Sequence, residues 1–348
     1  MSLIFRWSDI KNRSRGLTFD DVLLIPSKSD VRSRKDPQTS VQLTKNLKLE
    51  VPFISANMDT ITEKEMAMAM HKEGGLGILH RFMSIDDQVA QVRELKENGL
   101  TTIAASVGVG DEAKTRCKTL VEAGANLVTV DIAHGHSVQM SEMVKWIKTE
   151  FSGVEVIAGN VATPQATLDL IEAGADAIKV GIGPGSMCTT RVITGCGVPQ
   201  LTAVALCAEV AEEKGIPIIA DGGLKNSGDI VKAMAAGAQC VMLGSLLSGT
   251  LETPGEIKKG HKIYRGMASK SAQVSWRGEL PKGMAAEGES TMVAIKGRVQ
   301  DVVLELSGGL RSGMSYLNAT ELSQIRDKAQ FMEMSPLGIS ESRAHGLR

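Results

Sequence analysis

Glu122-Ala-Gly-Ala-Asn-Leu127 is a segment that recurs twice along the chain, as Glu172-Ala-Gly-Ala-Asp-Ala177 and as Ala235-Ala-Gly-Ala-Gln-Cys240. Each copy follows a stretch whose apolar residues have helical spacing, and each leads into a short apolar run. The central glycine suits the end of a helix, because it adopts a left-handed backbone conformation at little cost. The three segments therefore predict one helix-to-strand turn that the fold uses repeatedly.

The same alternation extends outward from these turns over most of the chain. The predicted strands are Val51–Ala56, Leu76–Leu79, Thr102–Val107, Leu127–Val130, Glu155–Ala158, Ala177–Gly181, Pro217–Ala220 and Cys240–Leu243. The predicted helices are Glu63–His71, Ile85–Lys96, Glu112–Glu122, Ser137–Phe151, Gln165–Glu172, Gln200–Lys214 and Gly228–Ala235. This order favours an α/β fold with parallel strands, closed at eight into a (β/α)8 TIM barrel. An open doubly wound sheet is the alternative, but no GxGxxG follows the first strand.

We predict a single barrel domain over residues 1–348, because no linker separates a second one. Residues 1–50 would form an N-terminal arm, and residues 317–348 a C-terminal tail. An irregular, mobile, flap-like insertion is expected at 268–290, beside the active site. A further helix is predicted around Val299–Leu306.

The composition narrows the classes of function. Formal net charge is −1 and aromatic residues make up 3%, so neither a basic surface nor a stacking platform for nucleic acid is expected. No apolar run is long enough to span a membrane. Five cysteines without a CxxC pair or an apolar leader predict a reducing, cytoplasmic location.

Polar and glycine residues follow almost every predicted strand, where TIM barrels carry out their chemistry. Gly222-Gly223 and Gly244-Ser245 follow strands seven and eight, the usual place for a phosphate group in this fold. Asp221 would point into the same mouth and suits the hydroxyls of a ribose. Each of these residues taken alone also suits an ordinary turn. Together they predict a site for a phosphorylated ligand.

The sixth loop, from Lys179 to Arg191 with the sequence KVGIGPGSMCTTR, is the most unusual segment. Its glycines allow a turn whose carbonyl oxygens converge, as a monovalent cation site requires. Cys188 lies on this loop and is predicted to be a nucleophile, because strand-end amides favour a thiolate. The alternative for any cysteine is a small buried apolar side chain. We adopt that alternative for three others, Cys117, Cys207 and Cys240.

These motifs resemble the inosine-5′-monophosphate dehydrogenase and GMP reductase family. The resemblance runs from Leu17 to about Tyr316 and includes GIGPGSMCTTR, IADGG at 219–223, MLGS at 242–245, IYRGM at 263–267 and SGGLRSGMSY at 307–316. It implies a (β/α)8 barrel, usually assembled as a homotetramer. It also implies that Cys188 attacks C2 of a purine nucleotide and forms a covalent adduct.

The resemblance assigns further residues to roles. It implies that the purine nucleotide, GMP or IMP, contacts Ser186, Asp221, Gly222, Gly223, Gly244, Ser245, Tyr264, Gly266, Met267, Ala268 and Gly288. A nicotinamide cofactor would contact Ser33, Arg34, Arg81, Asp131, Ile132, Ala133, Ile182 and Gly183, with Ser33-Arg34 taking the 2′-phosphate of NADPH across a subunit boundary. A potassium ion would be held by Gly183, Gly185, Cys188, Arg191 and, from a neighbouring subunit, Glu341.

Within the family, four features favour the reductase branch. Leu95–Ile103 runs directly into strand three, which leaves no room for the CBS subdomain that most of the dehydrogenases carry. Thr190 and Glu287 match the catalytic Thr-Glu pair of reductases. The 268–288 segment contains Arg277 but no tyrosine, so it lacks the Arg-Tyr pair with which dehydrogenases activate water. Asn57 is also typical of reductases.

Other positions depart from the reductase pattern. Reductases often have Lys at the position of Arg81 and Arg at that of Met284. The Tyr264–Met267 stretch and the tail that contains Glu341 are closer to dehydrogenases.

We therefore expect an NADPH-dependent GMP reductase that converts GMP to IMP and ammonia, with Cys188, Thr190 and Glu287 as catalytic residues. The alternative is a CBS-less IMP dehydrogenase that oxidises IMP to XMP with NAD. A catalytically silent phosphate-binding barrel is a third possibility, but a binding protein has no need of the thiol in the Cys-Thr-Thr loop.

Overall fold

Eight short apolar strands form the wall of a closed parallel barrel in the computed structural model, which describes residues 4–279, 283 and 285–342. The strands of the described residues are β1 (Ile4–Phe5), β2 (Val22–Leu24), β3 (Val41–Gln42), β4 (Lys48–Leu49), β5 (Phe53–Ser55), β6 (Leu76–Leu79), β7 (Ala104–Val107), β8 (Leu127–Asp131), β9 (Glu155–Val161), β10 (Ala177–Val180), β11 (Ile218–Asp221), β12 (Cys240–Leu243), β13 (His261–Arg265), β14 (Ser290–Ala294) and β15 (Phe331–Glu333). The helices are α1 (Lys64–Lys72), α2 (Ile85–Glu97), α3 (Asp111–Ala123), α4 (Val138–Glu150), α5 (Pro164–Glu172), α6 (Thr190–Thr194), α7 (Gln200–Glu212), α8 (Ser227–Ala235), α9 (Lys270–Arg277), α10 (Val299–Tyr316), α11 (Ile325–Lys328) and α12 (Pro336–Glu341).

The barrel consists of β5 to β12 in chain order, and β12 pairs with β5 to close it. All eight pairings are parallel, and the strands are buried along nearly their whole length, as expected for a sheet covered by helices. The (β/α)8 prediction is confirmed. The repeated turn also forms as predicted, since Gly124, Gly174 and Gly237 have φ values of +124°, +105° and +110°.

The arm and the tail are joined to each other. Strands β1 and β2 both pair antiparallel with β15, which gives the order β1-β15-β2. The rings of Phe5 and Phe331 stack at 5.7 Å between centroids, and both side chains are buried. Sequence patterns had suggested two separate appendages, because a pairing between segments more than 300 residues apart has no local signature.

The insertion is more regular than predicted. It contains α9, and β13 pairs with β14 as an antiparallel hairpin on either side of it. Ser269 caps α9 by accepting a hydrogen bond from the amide of Ala272 at 3.2 Å, and Ala272 is buried. Residues 280–282 and 284, which include the Met284 considered above, lie outside the described residues. None of the described helices combines the length and apolar character that a bilayer span requires.

One glycine fixes how closely two barrel strands approach at the mouth. Gly181 follows β10, and a Cβ atom built on it would lie 2.0 Å from the carbonyl oxygen of Asp221 at the end of β11. No side chain fits in that space unless the two strands move apart.

We therefore expect Gly181→Ala to lower the free energy of unfolding by about 3 kcal/mol, the upper range for overpacking. Gly215→Ala is the matched control, because Gly215 has φ +66° but open space around it. Gly215→Ala should lower the free energy of unfolding by about 1 kcal/mol, from backbone strain alone. Urea denaturation of both variants measures the difference, and equal losses would contradict the close-approach argument.

Candidate active site

A cavity of about 220 Å³ opens at the carboxyl ends of the barrel strands. Its wall combines the cysteine loop, the residues after β11 and β12, and the segment that follows β13. Every residue predicted to contact the purine nucleotide except Gly288 lines this cavity, together with Cys188, Thr190 and Glu287. The structure thus brings into one place residues that are about 100 positions apart in the sequence.

The thiol, hydroxyl and carboxylate predicted to be catalytic form a continuous hydrogen-bonded chain. The thiol of Cys188 donates to Oγ1 of Thr190 at 3.1 Å, and that hydroxyl donates to Oε2 of Glu287 at 2.8 Å. Cys188 is half-buried. This arrangement can carry a proton from the sulfur to the carboxylate through a single hydroxyl group.

Backbone hydrogen bonds hold Glu287 against the cysteine loop. The amide of Thr189 donates to the carbonyl of Glu287 at 3.0 Å, and the amide of Glu289 donates to the carbonyl of Met187 at 2.8 Å. Cys188 and Gly288 form an isolated antiparallel bridge. Gly288 therefore connects the two segments, although it does not line the cavity itself.

The other end of the cavity has the features of a phosphate site. The hydroxyls of Ser186 and Tyr264 lie 3.1 Å apart, and Gly223, Gly244 and Ser245 complete this end. A Cβ on Gly244 would lie 3.2 Å from the Tyr264 hydroxyl oxygen, so the glycine keeps the wall open. Burial raises the pKa of Tyr264, which keeps its hydroxyl neutral and able to donate to an anion.

A buried lysine that the sequence analysis did not single out lies beneath the cavity. Lys179 is 2% exposed, and its Nζ lies 2.7 Å from Oδ1 of Asp131 and 2.8 Å from Oδ2 of Asp221. It also donates to Oδ1 of Asn160, whose Nδ2 donates to Asp221 at 2.9 Å. The amide of Asn57 donates to Asp131 at 3.0 Å from across the barrel.

The charges in this network stabilise one another. Burial acts to lower the pKa of Lys179, but Asp131 and Asp221 raise it overall. Burial acts to raise the pKa of Asp131, but Lys179, Arg81 and the amide of Asn57 lower it overall. The lysine is therefore a fixed cation, and Asp131 is a fixed anion.

Comparisons with known proteins identify the family. A sequence model of the IMP dehydrogenase / GMP reductase domain matches residues 16–345. The chain belongs to the IMP dehydrogenase / GMP reductase family. Inosine-5′-monophosphate dehydrogenases of Staphylococcus aureus, including strains Mu50 / ATCC 700699 and USA300, are 35% identical, with 97% of this chain and 97% of theirs covered.

A solved structure supports the same family. A cysteine-to-alanine variant of GMP reductase from Trypanosoma brucei, in complex with guanosine 5′-monophosphate, superimposes with a TM-score of 0.92. It shares 35% identity, and the match covers 97% of this chain and 99% of that one. The alignment with the S. aureus enzymes spans 475 positions, whereas this chain has 348 residues, so those relatives contain a long segment that this chain lacks.

Family members bind nicotinamide cofactors, and the residues present fit such a group. Asp131, Ile132 and Ala133 follow β8, and Ala133 lines the cavity with Cys188. Nε of Arg81 is buried and has no hydrogen-bond partner among the described residues. An anionic or hydrogen-bonding ligand would supply that partner. Ser33 and Arg34 are exposed on the N-terminal arm and do not line the cavity.

The backbone carbonyls of the cysteine loop are the groups that could hold the predicted cation. Backbone carbonyl oxygens, such as those of Gly183, Gly185 and Cys188, are ligands that K⁺ accepts. The guanidinium of Arg191 instead donates to the carbonyls of Ile182 and Val198. A guanidinium has no acceptor atom, so Arg191 could contact a cation only through its carbonyl. That carbonyl accepts the Gly195 amide, as the Gly185 carbonyl accepts the Cys188 amide, and each keeps a second lone pair.

The side chain of Arg191 thus stabilises the loop. Glu341 is exposed at the end of α12, and its predicted role depends on a neighbouring subunit. Ile182 and Gly183, two of the residues predicted to contact the cofactor, do not line the catalytic cavity. Gly183 instead lies close to the side chain of Arg191. Three of the other cysteines, Cys117, Cys207 and Cys240, are fully buried as predicted, and burial raises the pKa of each of these thiols.

Lys179 could have been found from the sequence by one signal. It is the only ionisable residue of Ala177–Val180, a strand that is otherwise apolar and entirely buried. A charge in such a strand must meet an opposite charge. Its partners could not be named, because they lie on β8 and β11.

We expect Lys179→Met to lower the free energy of unfolding by about 3 kcal/mol at pH 7, the lower end of the range for breaking a buried pair, because it leaves two carboxylates, each 21% exposed, without their cation. Lys148→Met is the matched control. Lys148 pairs with Asp176 at 2.8 Å but is partly exposed, so its loss should cost less than about 1 kcal/mol.

The loss in Lys179→Met should depend on pH. Without the lysine, the folded-state pKa of Asp131 rises above its unfolded value, so stability falls as pH rises from that unfolded value. Urea denaturation should therefore show a smaller deficit at pH 5 than at pH 7. A deficit of the same size at both pH values would mean that the carboxylates gain access to water.

Proposed function

We propose that this chain is a GMP reductase that catalyses GMP + NADPH + H⁺ → IMP + NH₃ + NADP⁺. The observation that carries the proposal is the chain of hydrogen bonds from Cys188 through Thr190 to Glu287. Such a relay serves a reaction in which an amine leaves from the carbon that the thiol attacks, because the thiol proton is needed on the leaving nitrogen. The GMP-bound reductase from T. brucei with the same fold supports GMP as the ligand.

The relay accounts for every proton of the first half-reaction. Proton transfer from Cys188 through Thr190 to Glu287 yields a thiolate and a neutral carboxyl group. The thiolate adds to C2 of GMP, and the C2–N bond breaks as Glu287 returns the proton through the relay to the amino group. Ammonia leaves, and the purine remains bound to sulfur through C2.

The second half-reaction releases the purine. A bound NADPH would supply a hydride to C2. The C2–S bond then breaks, and Cys188 leaves as a thiolate that takes a proton from solvent. Asp221 would bind the ribose hydroxyls, and Ser186 and Tyr264 would donate to the phosphate, which holds C2 next to the sulfur.

The alternative is an IMP dehydrogenase, the activity named for the S. aureus relatives. The dehydrogenase reaction ends with the attack of water on C2, and a base must activate that water. The reductase reaction instead needs a proton donor near C2. The chain contains two tyrosines. Tyr264 is buried beside Ser186 and Tyr316 ends α10, so neither can complete an Arg-Tyr pair with Arg277. This favours the reductase.

Other features of the proposal come from the family. We propose that the enzyme acts as a homotetramer in the cytoplasm, with a K⁺ ion on the carbonyls of Gly183, Gly185 and Cys188. The Glu341 of a neighbouring subunit would complete that cation site. The preference for NADPH over NADH is part of the same proposal.

Glu287→Gln tests the reductase assignment, because it keeps the shape of the side chain but cannot exchange a proton. We expect it to lower kcat for ammonia release from GMP by ~10²–10⁴-fold, the usual contribution of a general acid or base. The assay follows nicotinamide absorbance and ammonia together.

Glu289→Gln is the matched control, because Glu289 is exposed and contacts the cysteine loop only through its backbone. It should retain wild-type turnover. In a parallel assay, the wild-type enzyme is given IMP and NAD. Steady release of XMP from the wild-type protein would show that it is a dehydrogenase.

Arg34→Ala tests the choice of cofactor. If Arg34 of a neighbouring subunit pairs with the 2′-phosphate, the variant should raise KM for NADPH by ~10–100-fold, in line with charge-assisted hydrogen bonds. KM for GMP should stay unchanged. An equal effect on NADH, which has no 2′-phosphate, would place Arg34 elsewhere.

A further inference from the structure

An ion pair that the proposed mechanism does not use joins the hairpin of β13 and β14 to the mouth of the barrel. Asp59 lies in the turn between β5 and α1, and Arg265 is the last residue of β13. The two side chains are only 12% and 15% exposed. Within the described part of 261–294, Arg265 is the only residue that belongs to an ion pair.

The guanidinium of Arg265 bonds to two separate segments. Its Nε lies 3.0 Å from Oδ2 of Asp59 and 3.3 Å from Oδ1, and its Nη2 also donates to Oδ2. The remaining Nη1 donates to the carbonyl of Ser271, in the first turn of α9, at 3.1 Å. A planar fork of this kind fixes distance and orientation together, which a single point charge does not.

Backbone amides join the same segments beside the ion pair. The amide of Arg265 donates to Oγ1 of Thr60 at 3.4 Å, and the amide of Asp59 donates to the sulfur of Met267 at 3.3 Å. Thr60 is buried, and Met267 lines the catalytic cavity. The turn after β5 is therefore attached to the chain on both sides of Gly266.

The 266–268 segment, which follows Arg265 directly, in turn holds the backbone of Glu287. The amide of Glu287 donates to the carbonyl of Ala268 at 3.0 Å. All three residues of the segment line the catalytic cavity, as Glu287 does. A fixed position for Arg265 thus fixes the start of the segment, and the end of the segment fixes the residue that carries the carboxylate of the relay.

We propose that Asp59 and Arg265 are positioning residues, which hold the 266–268 segment and thereby keep the carboxylate of Glu287 within reach of Thr190. Neither side chain lines the catalytic cavity, so neither would touch the purine nucleotide. The inference rests on the proposed function in taking Glu287 as the proton donor. Without the pair, the carboxylate would be free to shift, and a displacement of about 1 Å can lower a rate by ~10²-fold.

Asp59→Asn is the decisive variant, because it keeps the size of the side chain and removes the charge that the fork binds. We expect it to lower kcat for ammonia release from GMP by ~10–100-fold. KM for GMP should change less than kcat does, because Ser186 and Tyr264, the proposed phosphate ligands, are hydrogen-bonded to each other. Arg265→Lys keeps the charge but loses the fork, and it should lower kcat in the same way.

Glu333→Gln is the matched control, because it also replaces a carboxylate that binds arginine by an amide. Glu333 lies on β15, is 19% exposed and pairs with Arg13 and Arg15. It does not line the catalytic cavity. Glu333→Gln should therefore leave kcat and KM for GMP unchanged.

A double-mutant cycle separates positioning of Glu287 from a general loosening of the fold. If the pair acts through Glu287, adding Asp59→Asn to Glu287→Gln should lower kcat by less than ~2-fold, because the group that is positioned has already lost its function. Effects that multiply in the double variant would overturn the proposal.

Hydrogen exchange tests the attachment without turnover. In Asp59→Asn, the amide of Glu287 should exchange about 10-fold faster, the equivalent of one charge-assisted hydrogen bond, and Glu333→Gln should leave its exchange unchanged. Wild-type exchange in both Asp59→Asn and Arg265→Lys would overturn the proposal, and so would a wild-type kcat in Asp59→Asn.

The reductase assignment fails separately, if the wild-type protein releases XMP from IMP and NAD and releases no ammonia from GMP. In that case the exchange rates alone decide whether the ion pair holds the 266–268 segment.

Discussion

The ammonium group of Lys179, buried between Asp131 and Asp221, is the interaction on which the geometry of the mouth depends. Asp131, Asn160, Lys179 and Asp221 come from β8, β9, β10 and β11, which are four consecutive strands of the barrel. Removing one cation from water costs several kcal/mol, which its two carboxylates and an amide offset only if their positions are fixed. The charge of Lys179 thus sets the spacing between β8, which ends at Asp131, and β11, whose Asp221 is the predicted ribose ligand.

A second constraint joins the flap to the barrel through backbone atoms. The hydrogen bonds from Thr189 to Glu287 and from Glu289 to Met187 attach the segment after α9 to the cysteine loop. The carboxylate of Glu287 therefore reaches Thr190 because its own backbone is held in place. A different side chain at position 287 would therefore change the proton chemistry and leave the geometry of the loop the same. A change of reaction need not involve a change of fold.

Patterns in the sequence could predict whatever depends on local spacing. The eight strands, the glycine turns and the gathering of Cys188 with Gly223 and Ser245 at one mouth follow from periodicity and from parallel closure. The β1-β15-β2 sheet could not be predicted, because its partners lie at opposite ends of the chain. The role of Lys179 was hidden for a related reason, since a single polar residue in an apolar strand does not reveal which strands supply its counter-charges.

The two activities named for relatives of this chain would, in the mechanism proposed above, share an adduct and differ in what happens at C2. Equal identity, 35%, to relatives named for each reaction means that overall similarity cannot separate them. The difference must lie in the groups that can move a proton near the sulfur. Among the described residues, Thr190 and Glu287 form a path to Cys188, whereas Arg277 packs on the Trp276 ring and does not line the catalytic cavity. A guanidinium that lies outside the cavity of Cys188 and lacks a tyrosine partner is badly placed to activate water there, whereas the proposed relay would deliver a proton to a departing amine. The proposal of deamination therefore depends on the hydrogen-bonded path from Cys188 to Glu287 and not on overall similarity.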